Sequence, residues 1–407
     1  MNKTKIKNYA KLIAKKGLNV QKGQDVVIMC ELDQPDFIVT LTSEIYKLGA
    51  RRVFVDWNNQ KIDRLYYKNC SLKTLSTFED WEVEKWKWRA DRLPCMCYII
   101  SEDPDGLNGI DGEKISESKM AKFPIIKPFK DKMEASYQWC IAAVPGVDWA
   151  KKVFPDEKRN VSVEKMWNAI LTASRATDDP IKAWEEHNAE LKKRYEFLNS
   201  QKLKTLKYTS SNGTDLSVGL MEKGLFTGGA EKTLQGVEFN PNIPSEEIFT
   251  SPKAGECDGI VFSTKPLSYE GQLIENFSIE FSKGRVVSVK AEKNQSLLEK
   301  IVKMDEGASM LGECALVPYD SPINNTGILF YETLFDENAC CHLALGRGFS
   351  ECVSGYEKMS LEERRKEGLN QSMIHVDFMI GTPDLKIVGV KQDGSEILIF
   401  ENGNWAF

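Results

Sequence analysis

The sequence predicts two domains: an α/β N-terminal domain built on a parallel sheet, then an α+β, β-rich antiparallel C-terminal domain. Three observations carry this expectation. The chain has 407 residues, more than one ordinary core supports. Its N-terminal part alternates strand-like and helix-like segments, an order that requires crossover connections and hence parallel pairing. From about residue 203 the pattern changes to short strands joined by tight turns.

Taken in order, Asp25 to Cys30 reads as a short buried strand. Phe37 to Leu48 has helical spacing and ends at Gly49, and Arg52 to Trp57 is the next strand. Met96 to Ser101 and Trp139 to Val144 read as further strands, each running into a loop with Pro and Gly. No glycine-rich phosphate loop follows any of them, so nucleotide binding has no support. Val161 to Ser174 and Pro180 to Asn199 have helical periodicity, with Pro180 suited to a first turn. His187, inside the second of these helices, is expected to be a structural or surface histidine rather than a ligand. Leu203 to Ser210 and Thr214 to Leu220 flank Asn212-Gly213, a strong hairpin signal. Ser278 to Phe281 with Val286 to Val289, and Ile387 to Val390 with Ile397 to Phe400 across Asp393-Gly394, read the same way. The expected domains are therefore residues 1–200 and 201–407.

Composition excludes several classes. A hydrophobic fraction of 42% against 28% charged is that of a soluble globular chain. Net charge is −6, with Lys and Arg scattered among Asp and Glu, so no concentrated basic face for nucleic acid is expected. No apolar run reaches bilayer-spanning length, and no membrane association is expected. The opening Met-Asn-Lys-Thr-Lys-Ile-Lys-Asn is not followed by the apolar core of a signal peptide, which points to the cytoplasm. The ten cysteines lack pairing logic and read as reduced, mostly buried thiols.

The second half carries metal-competent side chains at four separated places. Asn-Ile-Pro-Ser-Glu-Glu-Ile-Phe-Thr-Ser-Pro, residues 242 to 252, holds Glu246 and Glu247, which diverge if the segment is extended. Leu-Gly-Glu-Cys-Ala-Leu-Val-Pro, residues 311 to 318, has Glu313 as its only charge. Phe-Asp-Glu-Asn-Ala-Cys-Cys-His-Leu-Ala-Leu-Gly, residues 335 to 346, carries Glu337 and His342. Ser-Met-Ile-His-Val-Asp-Phe-Met-Ile-Gly, residues 372 to 381, reads as a buried strand in which His375 and Asp377 leave one face. Each residue alone has a plain structural explanation, such as an ion pair or a backbone partner. Together, two of the chain's three histidines and several carboxylates in apolar contexts are what two divalent cations need.

At these four motifs the sequence resembles the thermophilic-type metalloaminopeptidases, the aminopeptidase T and aminopeptidase S family. The motifs stand in family order, and the likeness extends over the whole chain. The resemblance implies an enzyme whose C-terminal domain holds two divalent metal ions, drawn from Zn, Co, Mn or Mg. It implies Glu247, Glu313, His342, His375 and Asp377 as ligands, with Glu313 as a bridge. Glu337 enters as a ligand or as a hydrogen-bond partner of one. Peptide substrates, release of N-terminal residues and a homodimer are implied as well. Glu247 or its neighbour Glu246 is the expected proton-shuttling base.

One position departs from the family. A tyrosine is common seven residues after the motif histidine; here that position is Phe349, which has no hydroxyl for a developing oxyanion. Losing one such donor typically costs on the order of a hundredfold in rate. Tyr356 lies one short loop later as a substitute. Two rival readings remain. A mononuclear Fe(II) oxygenase uses two histidines and one carboxylate, but places its distant histidine after the His-x-Asp pair, unlike His342. A catalytically weakened member that only binds peptides is the other.

Overall fold

The computed structural model describes residues 3–269 and 272–407. Its contacts divide the chain into two compact units. One takes the chain up to Glu186 together with Ala230–Pro244; the other takes His187–Gly229 with Ser245–Phe407.

The first unit is built on five parallel strands in the order Arg52–Asn58, Asp25–Glu31, Cys95–Ile100, Trp139–Ala143 and Asn242–Ile243. Strands such as Asp-Val-Val-Ile-Met-Cys-Glu and Cys-Met-Cys-Tyr-Ile-Ile are mostly buried, as expected where helices cover both faces of a parallel sheet. The last strand comes from far along the chain: Ile141 N–H donates to Pro241 O at 2.7 Å, and Ile141 and Ala142 pair with Asn242 and Ile243. Residues 230–244 thus join the first unit, where a single cut near residue 200 assigns them to the second half. The strand order reverses at Asp25–Glu31. Outside the carboxyl ends of these strands opens a cavity of about 430 Å³ with Glu31, Asp33, Glu102, Asp103 and Asp105 in its lining.

The second unit holds two antiparallel sheets. The nine-stranded one contains the expected hairpins, Leu203–Thr209 with Asp215–Leu220 and Lys386–Lys391 with Glu396–Glu401. The third, Gln272–Ser282 with Arg285–Lys293, is longer than its apolar kernel suggested, because exposed polar residues continue the ladder. The four-stranded sheet runs in the order Ile248–Thr250, Leu311–Leu316, His342–Gly346 and His375–Met379. Both sheets feed one buried cluster: Leu206, Val218, Ile279 and Ile387 from the large sheet meet Leu343, Leu345, Val376 and Phe378 from the small one. Each such side chain contributes roughly 1.5–3 kcal/mol by leaving water. That core immobilises one face of the small sheet and so fixes what the other face presents.

All ten cysteines are unpaired, and all but Cys70 are buried. Among the described residues no helix is long and apolar enough to cross a membrane.

Candidate metal centre

In an antiparallel sheet, residues directly opposite one another share a face. Glu313 lies opposite Ala344, which lies opposite Asp377. His342 is opposite Ala315 on one side and Met379 on the other, and Gly346 is opposite His375. One face of the small sheet therefore presents Glu313, His342, His375 and Asp377, spaced by the small residues Ala315, Ala344 and Gly346. The other face presents Cys314, Leu343, Leu345, Val376 and Phe378, all in the core, with Ile374 packed against it.

Glu313 reaches the polar face through an irregularity. Leu311 pairs with Leu345 on the core side, yet Glu313, two residues on, pairs with Ala344; the register shifts between them. A bulge at Gly312 changes the phase of the strand. Only glycine fits there, because a Cβ would stand 2.4 Å from the carbonyl oxygens of both Gly346 and Arg347. Gly346 is likewise required: its φ is +100°, and a Cβ would meet Ile374 O at 2.2 Å.

The side chains form three overlapping groups whose candidate ligand atoms lie within 4.8 Å of one another: Glu247–Glu313–His342, Glu313–His375–Asp377 and Glu337–His342–Asp377. Glu313 and Asp377 are each shared by two groups. His375 Nε2 stands 3.0 Å from Glu313 Oε2 and 3.2 Å from Asp377 Oδ1, and His342 Nε2 stands 3.2 Å from Glu247 Oε2. No group among the described residues contains both His342 and His375.

Electrostatics test whether these residues fit a metal. Burial pushes the Glu313 carboxyl up to about 7, against the His375 hydrogen bond, and the Glu247 charge adds to the rise. Glu337 is raised well above the carboxylate range by burial and by Asp377, Glu247 and Glu313. Burial alone would lower His342, but the Glu247 hydrogen bond and the surrounding carboxylates win and raise it to about 9. His375 is raised in the same manner by Asp377 and Glu313. Asp377, which burial would raise, is pulled below its ordinary value by His375. Without a cation these groups would balance their charge with protons, which a cation would displace.

Two further observations fit a cation. Asp377 Oδ1 is buried and meets the His375 ring at 3.2 Å without a well-formed hydrogen bond. His375 Nδ1 lies 2.7 Å from Arg347 O, which can only accept, so Nδ1–H donates. Nε2 then faces two carboxylates, an arrangement stable only with a proton or a cation between them.

The remaining expected residues stand around this face. Glu246 is buried 4.0 Å from His187 Nε2 and lies outside the three groups, whereas Glu247 lies within one. Phe349 packs edge-on against Phe249, with ring centroids 5.4 Å apart, and 4.7 Å from the His375 ring. Tyr356 packs instead on Met221, Val353 and Leu369, with the Arg364 guanidinium 5.5 Å from its ring centroid.

One neighbour matches the sequence reading and one escaped it. His187 is a structural histidine: its ring is largely buried and Nε2 lies 2.7 Å from Ser245 O, next to Glu246. Asn338 is fully buried between Glu246 and Glu337. Its position in Phe-Asp-Glu-Asn-Ala, beside the candidate ligand Glu337, was the only available signal.

Comparison with known proteins adds to this geometry. Residues 2–405 match the family described as thermophilic metalloprotease (M29). The chain is 40% identical over 405 residues to Aminopeptidase AmpS of Bacillus subtilis, covering 99% of this chain and 98% of that protein. It is 35% identical over 405 residues to Aminopeptidase T of Thermus thermophilus, covering 99% and 98% respectively. The solved structure of wild-type AmpT from Thermus thermophilus superposes with a TM-score of 0.91 at 34% identity, covering 99% of each chain.

Proposed function

The chain belongs to the thermophilic metalloprotease family M29 and is an aminopeptidase; from that premise we propose that it removes N-terminal residues from short peptides with two divalent cations on the polar face of the small sheet. Glu247, Glu313, Glu337, His342, His375 and Asp377 would hold them. The observation that carries this reading is the sharing of Glu313 between a group on His342 and a group on His375. A carboxylate in that position suits a bridge. Separation of the two histidines into different groups disfavours the mononuclear iron oxygenase, which needs both on one ion. The carboxylate-rich set with two imidazoles suits zinc, cobalt or manganese better than magnesium.

Bound cations would supply a water of near-neutral pKa and polarisation of the scissile carbonyl. The protein's own residues do the rest. The Arg347 carbonyl fixes the His375 ring so that Nε2 faces the centre. Because Glu247 is drawn into the His342 group, Glu246 is the better carboxylate to carry the proton to the leaving amine. Phe349 offers no hydroxyl to an oxyanion, and Tyr356 is kept as the residue that could supply one. The reading also includes a homodimer acting in the cytoplasm.

Leu- and Arg-aminoacyl chromogenic substrates assayed with zinc, cobalt, manganese and magnesium test the proposal. Turnover that is lost on chelation and restored by metal is expected. No turnover with any metal, together with Glu313→Gln and His375→Ala variants that bind metal like the parent, would leave only the peptide-binding reading.

A further inference from the structure

We propose that Asn338 is the positioning residue of the His342 side of the centre, tying the segment that carries Glu247 to the turn that carries Glu337. This rests on the two-cation reading above. Asn338 is fully buried. Its Oδ1 accepts the backbone N–H of Glu246 at 2.7 Å. Its Nδ2 donates to Leu334 O at 2.9 Å and to Glu337 Oε1 at 3.3 Å. One side chain therefore uses its acceptor on one motif and both donors on another.

Those two motifs meet at His342. The group Glu247–Glu313–His342 contains the residue next to the amide that Asn338 holds, and the group Glu337–His342–Asp377 contains the carboxylate that Asn338 donates to. The group Glu313–His375–Asp377 contains neither. His375 is oriented by Arg347 O, and Asp377 is held by pairing with Ala344. Asn338 thus acts on one side of the centre only. Aspartate in its place would lose both donors and add a charge beside Glu337, in a cluster already short of positive charge.

Metal-stripped full-length protein titrated with zinc by isothermal calorimetry reads this directly. His342→Ala and His375→Ala assign the two binding steps. Asn338→Ala removes the amide, and Asn338→Leu removes its hydrogen bonds while keeping the volume filled, so a loss through packing alone is separated from a loss of positioning. Both should weaken the His342-side step by about 10–100-fold, as removing an outer partner of a ligand does, and leave the His375-side step within about twofold. His342-side affinity within about twofold of the parent, or an equal fall at both sides, would overturn the assignment. A parent chain that takes up a single zinc would overturn the two-cation reading and this proposal together. Two zinc ions with an unaffected Asn338→Leu would overturn this proposal alone.

Discussion

In the first unit, Glu31, Asp33, Glu102, Asp103 and Asp105 line the cavity at the ends of the parallel strands. In the second, Glu247, Glu313, Glu337 and Asp377 gather on one face of the small sheet. Both places are rich in carboxylates, and they are chemically different. Around the cavity each carboxylate has its own donor. Glu31 accepts from Gln60 N–H, Asp33 from the Ser101 hydroxyl, Glu102 from Ser101 N–H and Asp103 from Asp105 N–H, while Asp105 pairs with Lys152. None of them belongs to a metal-competent group among the described residues. On the sheet face the carboxylates point at each other and at two imidazoles, and Asp377 Oδ1 meets His375 at 3.2 Å without a well-formed hydrogen bond. The contrast teaches that convergence and missing donors, rather than acidity, mark a place for a cation.

Paired substitutions should break that symmetry most visibly. Glu313→Gln is expected to lower kcat/KM by about a hundredfold or more, since in the proposed reading several kcal/mol of transition-state stabilisation depend on cations held with its help. Glu102→Gln, in the cavity, is expected to change it by less than about twofold. Steady-state kinetics with saturating metal would read both, and similar losses in the two variants would refute the distinction.

Next in size is the pH response of the metal-free protein. The folded values of Glu313, about 7, and His342, about 9, both lie above their ordinary values of 4.5 and 6.5. A group raised on folding stabilises the fold fully below its ordinary pKa and loses that contribution as pH rises through the folded value. Thermal stability of the stripped protein should therefore fall between about pH 5 and 9, by on the order of a few kcal/mol. Zinc affinity should rise over the same range, because binding displaces those protons. The cavity variant Glu102→Gln should leave this slope intact. A flat melting profile for the stripped parent would contradict the sign.

A smaller and opposite effect is expected at Phe349. Phe349→Tyr should raise kcat by about tenfold with metal affinity unchanged, by restoring a hydroxyl beside His375. Tyr356→Phe tests the alternative donor. Its packing on Met221, Val353 and Leu369 leads us to expect less than about twofold. A larger loss would return the oxyanion role to Tyr356.

Much of the fold was legible in the residues. The strand at Asp25, the helices ending near Ala173 and Ser200, and the hairpins around Asn212-Gly213 and Asp393-Gly394 stand within a few residues of their expected places. The longer third hairpin was missed at its ends because exposed positions such as Lys290 and Glu292 carry no apolar signal. At the site, the four motifs pointed to Glu247, Glu313, Glu337, His342, His375 and Asp377, which the structure gathers into three groups. Asn338 was not legible, since the Glu246 amide it accepts from is distant in the sequence and an asparagine is unremarkable in a turn.

The sequence by itself determined what depends on covalent periodicity. A strand puts residues two apart on one face, so His375 and Asp377 had to emerge together once that segment was extended. Asn-Gly and Asp-Gly mark two of the hairpin loops because Gly213 and Gly394 must take positive φ there. Tertiary structure alone decided what depends on register between distant segments. It brought residues 230–244 to the first unit through pairing with Trp139–Ala143. It turned Glu313 onto the polar face through the Gly312 bulge and sent Glu246 and Glu247 to different partners. Such choices are set by packing and by backbone groups that must find partners, and no local pattern of residues encodes them.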